Sequence, residues 1–172
     1  AVALLVASGL LASTMGGLVS PRAAEATEAW ELDMLAQLNA YRAQHGRGPL
    51  TLCTNLSSAA YAHSADRAAA GSLSHQGTDG STPSVRVGRT SYGYVTSVGE
   101  NMAAGPLGVG DVMALWKGSP GHAQNMLDSR YVHVGFGRAY RPGTSTLYWT
   151  QVLAWGGSCT PHVPVNHPFG SF

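Results

Sequence analysis

The sequence predicts an α+β domain: amphipathic helical segments come first, another stands mid-chain, and two alternating segments joined by a turn-rich loop follow. Helices followed by strands, without a repeated β-α-β alternation, argue against a parallel doubly wound sheet. The length of 172 residues suits one domain with a substantial core rather than two small ones.

Residues 1–19 are small and apolar, with Leu4, Leu5, Val6, Leu10 and Leu11 at the centre and no charge before Arg22. This pattern predicts an export signal over residues 1–26, incomplete at its start, with cleavage after Ala26 in the Ala24-x-Ala26 stretch. The alternative is a retained anchor, which Gly9, Ser13, Thr14, Gly16 and Gly17 weaken. On the first reading the domain occupies residues 27–157 and an irregular tail residues 158–172, with no membrane span once the signal is removed. Export places Cys53 and Cys159, the only cysteines, in an oxidising compartment and predicts a disulfide between them.

From Glu28 to His45, Trp30, Met34, Leu35, Leu38 and Tyr41 recur at helical spacing, and Gly46, Gly48 and Pro49 end the run. A short extended piece, Leu50 to Leu52, leads to a second helix from Asn55 to Ala70, with Leu56, Ala59, Ala60 and His63 on one face and Gly71 as its stop. Residues 71–98 read as ordered loop, interrupted by a helical turn at Thr82-Pro83-Ser84. A third helix fits Val109 to Trp116. Ser119 then offers an N-cap, with Pro120 as first helical residue of the next turn. Alternation over Val132–Ala139 and Leu147–Leu153, with Arg141-Pro142-Gly143 between, predicts two antiparallel strands. The tail from Gly156 is expected to be held only by Cys159, with His162 and His167 in solvent. Asn55-Leu56-Ser57 is a glycosylation sequon, relevant only in a eukaryote.

Four local signatures stand in this order: Ser74-His75-Gln76 with Asp79-Gly80; Gly99-Glu100-Asn101; Trp116 through Ser119-Pro120-Gly121-His122 to Asn125; and Tyr148-Trp149-Thr150-Gln151-Val152. With Leu38-Asn39-Ala40-Tyr41-Arg42 and Ala62-His63-Ser64-Ala65-Asp66, they resemble the CAP superfamily of cysteine-rich secretory, antigen 5 and pathogenesis-related 1 proteins. The likeness is nearest to the bacterial-type branch of SCP-like extracellular proteins, over roughly residues 30–157. It implies a three-layer α-β-α sandwich with a small antiparallel sheet between helices. It also implies a cleft on which His- and Glu-bearing segments converge. His75 and Glu100 match two members of that family's tetrad of two His and two Glu. Ser119 and Tyr148 stand where the other Glu and His would be, and His122 looks like the replacement.

The candidate centre is therefore His75, Glu100 and His122, lined by Asn101, Trp116, Ser119, Asn125, Tyr148 and Gln151. A carboxylate between two imidazoles can relay protons, bind a divalent ion such as zinc, or satisfy buried polar groups, and the sequence leaves these open. Ser119, His122 and Glu100 have the residue types of a hydrolytic triad, yet Ser119 reads as a cap and no Gly-x-Ser-x-Gly turn presents it. Ten basic and nine acidic residues, without a Lys/Arg run, exclude a nucleic-acid partner. The reading is a secreted, monomeric binding module for a lipid, sterol or cell-wall-derived ligand, or a defence or signalling factor with an extracellular protein partner. The alternative is an extracellular hydrolase or protease using His75, Glu100 and His122.

Overall fold

The computed structural model describes residues 21–105 and 107–160, with side chains from Ala29 onward. Residues 1–20 of the export signal expected over residues 1–26, together with His162 and His167, lie outside the described residues. Among the described residues nine elements follow one another: α1 (Pro21–Gln44), β1 (Thr51–Leu52), α2 (Thr54–Ala70), α3 (Pro83–Gly88), β2 (Ser97–Gly105), α4 (Val109–Gly118), α5 (Pro120–Leu127), β3 (His133–Tyr140) and β4 (Leu147–Trp155). None of the described helices is long and apolar enough to cross a membrane.

The fold is α+β, with a four-stranded sheet in the order β1-β3-β4-β2. The three long strands are antiparallel, β3 to β4 and β4 to β2. Two-residue β1 adds a parallel edge against His133 and Val134, so the sheet is mixed rather than purely antiparallel. β2 forms the opposite edge, which decides where the site lies.

Helices cover both faces. On one, Trp30, Met34 and Leu38 of α1 meet Val112, Met113 and Trp116 of α4, Met126 of α5, and Phe136, Trp149 and Leu153 of the sheet. On the other, Leu56, Ala59 and Ala60 of α2 pack with Val87, Val152 and Ala154. The second contact is unusually close because of two glycines in β3. A Cβ on Gly135 would stand 2.2 Å from the α2 backbone at Leu56 and Ser57, and one on Gly137 would stand 2.1 Å from Tyr61 N. Ser64 Oγ donates to the Gly137 carbonyl at 3.0 Å across the same seam.

The helical start and stop signals act as read. Gly71 ends α2 in the left-handed conformation at φ 69°, which glycine adopts without a Cβ penalty. Thr82 caps α3 by accepting from Val85 N, and Pro120 opens α5. Three expectations are corrected. α1 already runs from Pro21, seven residues before Glu28, and the Ala-rich stretch between them propagates helix well. Ser119 occupies the N-cap position of α5, but its hydroxyl makes no capping hydrogen bond. β2 arises within and beyond a segment read as loop: its central residues, 99–103, are all buried, so both faces are covered and no alternation marks it.

The Cys53–Cys159 disulfide is formed. The chain beyond Trp155 is held by more than that bond: Ser158 N donates to Tyr92 O, Thr54 N to Thr160 O, and Asn55 Nδ2 to Ser158 O at 2.8 Å. Asn55 is accordingly only 4 % exposed, and its amide nitrogen is engaged, so the sequon does not present a glycan acceptor in the folded chain.

Candidate functional site

The register of β2 against β4 sorts the Gly-Glu-Asn segment. Glu100 lies opposite Val152, which lies opposite Gly135, and this row faces α2. Asn101 lies opposite Gln151 and Phe136 and faces α1, α4 and α5. Side chains alternate across a strand, so neighbouring residues of one motif serve two different layers.

Glu100 is buried with both oxygens engaged. Oε1 accepts from His75 Nδ1 at 2.8 Å, and Oε2 accepts from Arg86 Nη2 at 2.6 Å. His63 Nε2 of α2 lies 3.6 Å from Oε1 and 2.9 Å from the carbonyl oxygen of Ser74. Arg86 also donates to Ser81 O at 2.8 Å and to His75 O at 3.1 Å. One guanidinium therefore fastens α3 and the loop carrying His75 to the edge strand. A buried carboxylate needs such donors, and a charged one at this distance is among the stronger kind.

His75 differs from its partners in exposure. Its side chain is 61 % exposed, against 1 % for that of Glu100. The Glu100 hydrogen bond, and then its negative charge, raise the His75 pKa above the ordinary imidazole value, opposed by partial burial and by Arg86. With Nδ1–H given to Glu100, the other nitrogen, Nε2, faces solvent or a ligand as an acceptor when the ring is neutral and as a donor when it is protonated.

His122 approaches the same edge from the other layer, on the first turn of α5. Burial lowers its pKa, and the nearby His75 lowers it further. Its backbone oxygen accepts from Asn101 Nδ2 at 3.1 Å. Asn101 Nδ2 also donates to Gln151 Oε1 at 2.8 Å, and Asn125 Nδ2 donates to Asn101 Oδ1 at 2.9 Å and to Glu100 O at 3.2 Å. This amide network fixes α5 to β2 and sets the height of His122 over the strand edge.

The structure thus brings His75 and Glu100 into contact, with His122 close by and Asn101, Asn125 and Gln151 beneath it. Trp116 is fully buried in the core and donates from Nε1 to Met102 O at 3.1 Å, away from the cleft. Tyr148 pairs with Ala104 and Ala139, four residues along the ladder from the Glu100 row, a distance of about 13 Å. Among the described residues Ser119 makes no hydrogen bond to His122, and His122 Nδ1 is buried without a partner. Arg86 was not singled out in the sequence. Its only signal is that it is one of two cations, with Arg89, in a Gly/Ser/Thr-rich segment just past the Thr82 cap.

For a metal, the donor set is unfavourable as arranged. Both Glu100 oxygens already accept hydrogen bonds, and Arg86 adds a positive charge beside them. Among the described residues, the group of three ligand-type atoms that lie within 4.8 Å of one another is Cys53, His133 and Cys159, and the disulfide removes both thiolates from that group.

Comparisons with known proteins follow the same outline. The profile of the cysteine-rich secretory protein family, CAP, matches residues 35–153. The Bacillus subtilis protein YkwD is 30 % identical over 129 residues, which are 75 % of this chain and 48 % of that protein, so the chain spans about half the length of this relative. An extracellular protein containing an SCP domain from Bacillus anthracis shares the fold with a TM-score of 0.68 at 22 % identity, over 81 % of this chain and 44 % of the other. A cysteine-rich secretory protein from Staphylococcus aureus does so with a TM-score of 0.59 at 16 % identity, over 74 % and 38 %.

Proposed function

The chain belongs to the cysteine-rich secretory protein family, CAP, and we propose that it works outside the cytoplasm as a binding module. Its cleft grips an acceptor group, a carboxylate or phosphate, on a ligand derived from a cell wall. The observation that carries this reading is His75. An exposed imidazole is clamped through Nδ1 to a buried carboxylate, which Arg86 holds in turn. When His75 is protonated, such a clamp presents an oriented Nε2–H and a positive charge to the solvent side of the β2 edge. A charge-assisted hydrogen bond to an anionic oxygen is what that group can offer best. The export-like residues 1–19, the disulfide and the printed description of the Bacillus anthracis relative support the extracellular setting.

Binding is favoured over hydrolysis because Glu100 is committed to two donors and Ser119 is not joined to His122. A cell-wall ligand is favoured over a lipid or sterol because the hollow beside the centre carries the charged groups of Asp66, Asp79, Arg86 and Arg89 alongside its small apolar residues Ala59 and Ala62. Calorimetric titration with soluble muropeptides and with glycerol-phosphate oligomers tests the reading. One of these should bind, and His75→Ala should weaken it at least tenfold. Binding that His75→Ala leaves unchanged, or binding only to lipid vesicles, would overturn it.

A further inference from the structure

The disulfide end of the molecule gathers ligand-type groups that the His75 cleft does not use. Cys53, Cys159 and His133 each place one such atom, a sulfur or an imidazole nitrogen, within 4.8 Å of the other two. Two thiolates and an imidazole are the ligand set of a tetrahedral zinc site with one open position. Here the sulfurs are joined to each other, so the set becomes available when that bond is reduced.

The groups stay together without the sulfur–sulfur bond. Cys53 N donates to Val134 O at 2.9 Å, beside His133 on the β1–β3 ladder. Cys159 is tied through its neighbours: Thr54 N donates to Thr160 O at 3.2 Å, and Asn55 Nδ2 to Ser158 O at 2.8 Å. The two cysteine Cα atoms are 5.3 Å apart. Tyr92 Oη lies 2.9 Å from His133 Nδ1, and the two rings meet edge-on, so the imidazole is oriented by an outer partner as ligating histidines are. Ligand atoms around a tetrahedral zinc stand about 3.5–3.8 Å apart, as bond lengths of about 2.0–2.3 Å require. Rotation of the freed cysteine side chains reaches that spacing.

Reduction also has a direction. Cys159 is part-exposed, whereas Cys53 is fully buried as the N-cap residue of α2. A thiolate of an incoming dithiol attacks the Cys159 sulfur, and Cys53 leaves as a thiolate at the positive end of the helix dipole. The second thiolate of the dithiol then attacks its own sulfur in the mixed disulfide, which releases the Cys159 thiolate. The dithiol ends as a disulfide, and two electrons have passed to the protein. We propose that the Cys53–Cys159 bond gates a metal site: once reduced by a dithiol, the chain binds one zinc-type divalent ion through Cys53, Cys159 and His133. The ion in turn holds the sulfurs apart, so metal and disulfide exclude each other.

Cobalt(II) titration of the full chain, reduced with a phosphine that is then removed, tests this. One equivalent should develop thiolate-to-cobalt charge-transfer absorption with the d–d bands of a tetrahedral site, and zinc(II) should abolish both. The oxidised chain should show neither. His133→Ala should weaken binding at least tenfold, and zinc(II) should shift the His133 imidazole nitrogen-15 signals of the reduced wild-type chain. His75→Ala should leave the titration unaltered, which separates this site from the cleft. A reduced chain without thiolate-to-cobalt absorption, folded or not, would overturn the proposal. So would an affinity unchanged in His133→Ala, His133 signals unmoved by zinc(II), or an equal titration of the oxidised chain.

Discussion

Glu100 sets the energetics of the site because its partners are unequal. Arg86 is 8 % exposed and pairs with it at 2.6 Å, whereas His75 is largely in solvent. Removing one member of a buried pair leaves the other uncompensated, so Arg86→Ala should cost about 3–5 kcal/mol in urea unfolding, and the double variant Arg86→Met/Glu100→Met should recover part of it. The histidines predict the response to acid. His75 has a raised folded pKa, so its contribution is present below about pH 6.5 and lost as pH rises through the raised value. His63, His122 and His133 are lowered by burial, so their contribution is present above about pH 6.5 and lost as pH falls toward their folded values. Three groups oppose one that is mostly exposed, and stability should therefore fall between pH 7.5 and 5.5; a rise over that interval in denaturant midpoints would contradict the assignment. His75, Glu100 and His122 were legible in the sequence because their motifs stand in a family order. Arg86 and the inner face of His63 were not, since a buried ion pair leaves no periodic trace.

At the level of elements, the close seam between α2 and β3 dictates which strand positions tolerate a side chain. A Cβ at Gly137 would meet backbone rather than a flexible side chain, so Gly137→Ala should destabilise by about 3 kcal/mol or more, visible as a lowered thermal midpoint. α1, α2 and α4 could be read from apolar spacing and from Gly71, which ends α2. β2 could not, because Gly99 to Ala103 are buried on both faces and Glu100 and Asn101 interrupt any apolar run. Polar residues inside a central motif look like loop until their partners on two different layers are known. The connection after α1 shows the same reliance on distant partners. Asn39 accepts from Leu50 N and donates to Leu50 O, and Arg42 reaches Met126 O at the end of α5.

Across the whole molecule, the layer order explains why a cleft forms at one edge. α2 and α3 approach β2 from one face and α5 from the other, so Glu100 with His75 and Asn101 with His122 converge over the same strand edge. The disulfide closes 106 residues of chain around this arrangement. In the chain-entropy account that is worth about 4–5 kcal/mol, so the Cys53→Ala/Cys159→Ala variant should melt on the order of 10 °C lower. The order of layers was implied by resemblance, whereas the parallel β1 edge and the hold of Asn55 on the residues after Trp155 required coordinates. The central claim is that a fixed carboxylate turns His75 outward as a charged donor. The direct measurement is the His75 titration curve by NMR, in the wild-type chain and in Glu100→Gln. The wild-type midpoint should lie above the ordinary value of about 6.5 and fall back toward it in the variant. A wild-type midpoint at or below that value, unmoved by Glu100→Gln, would contradict the account.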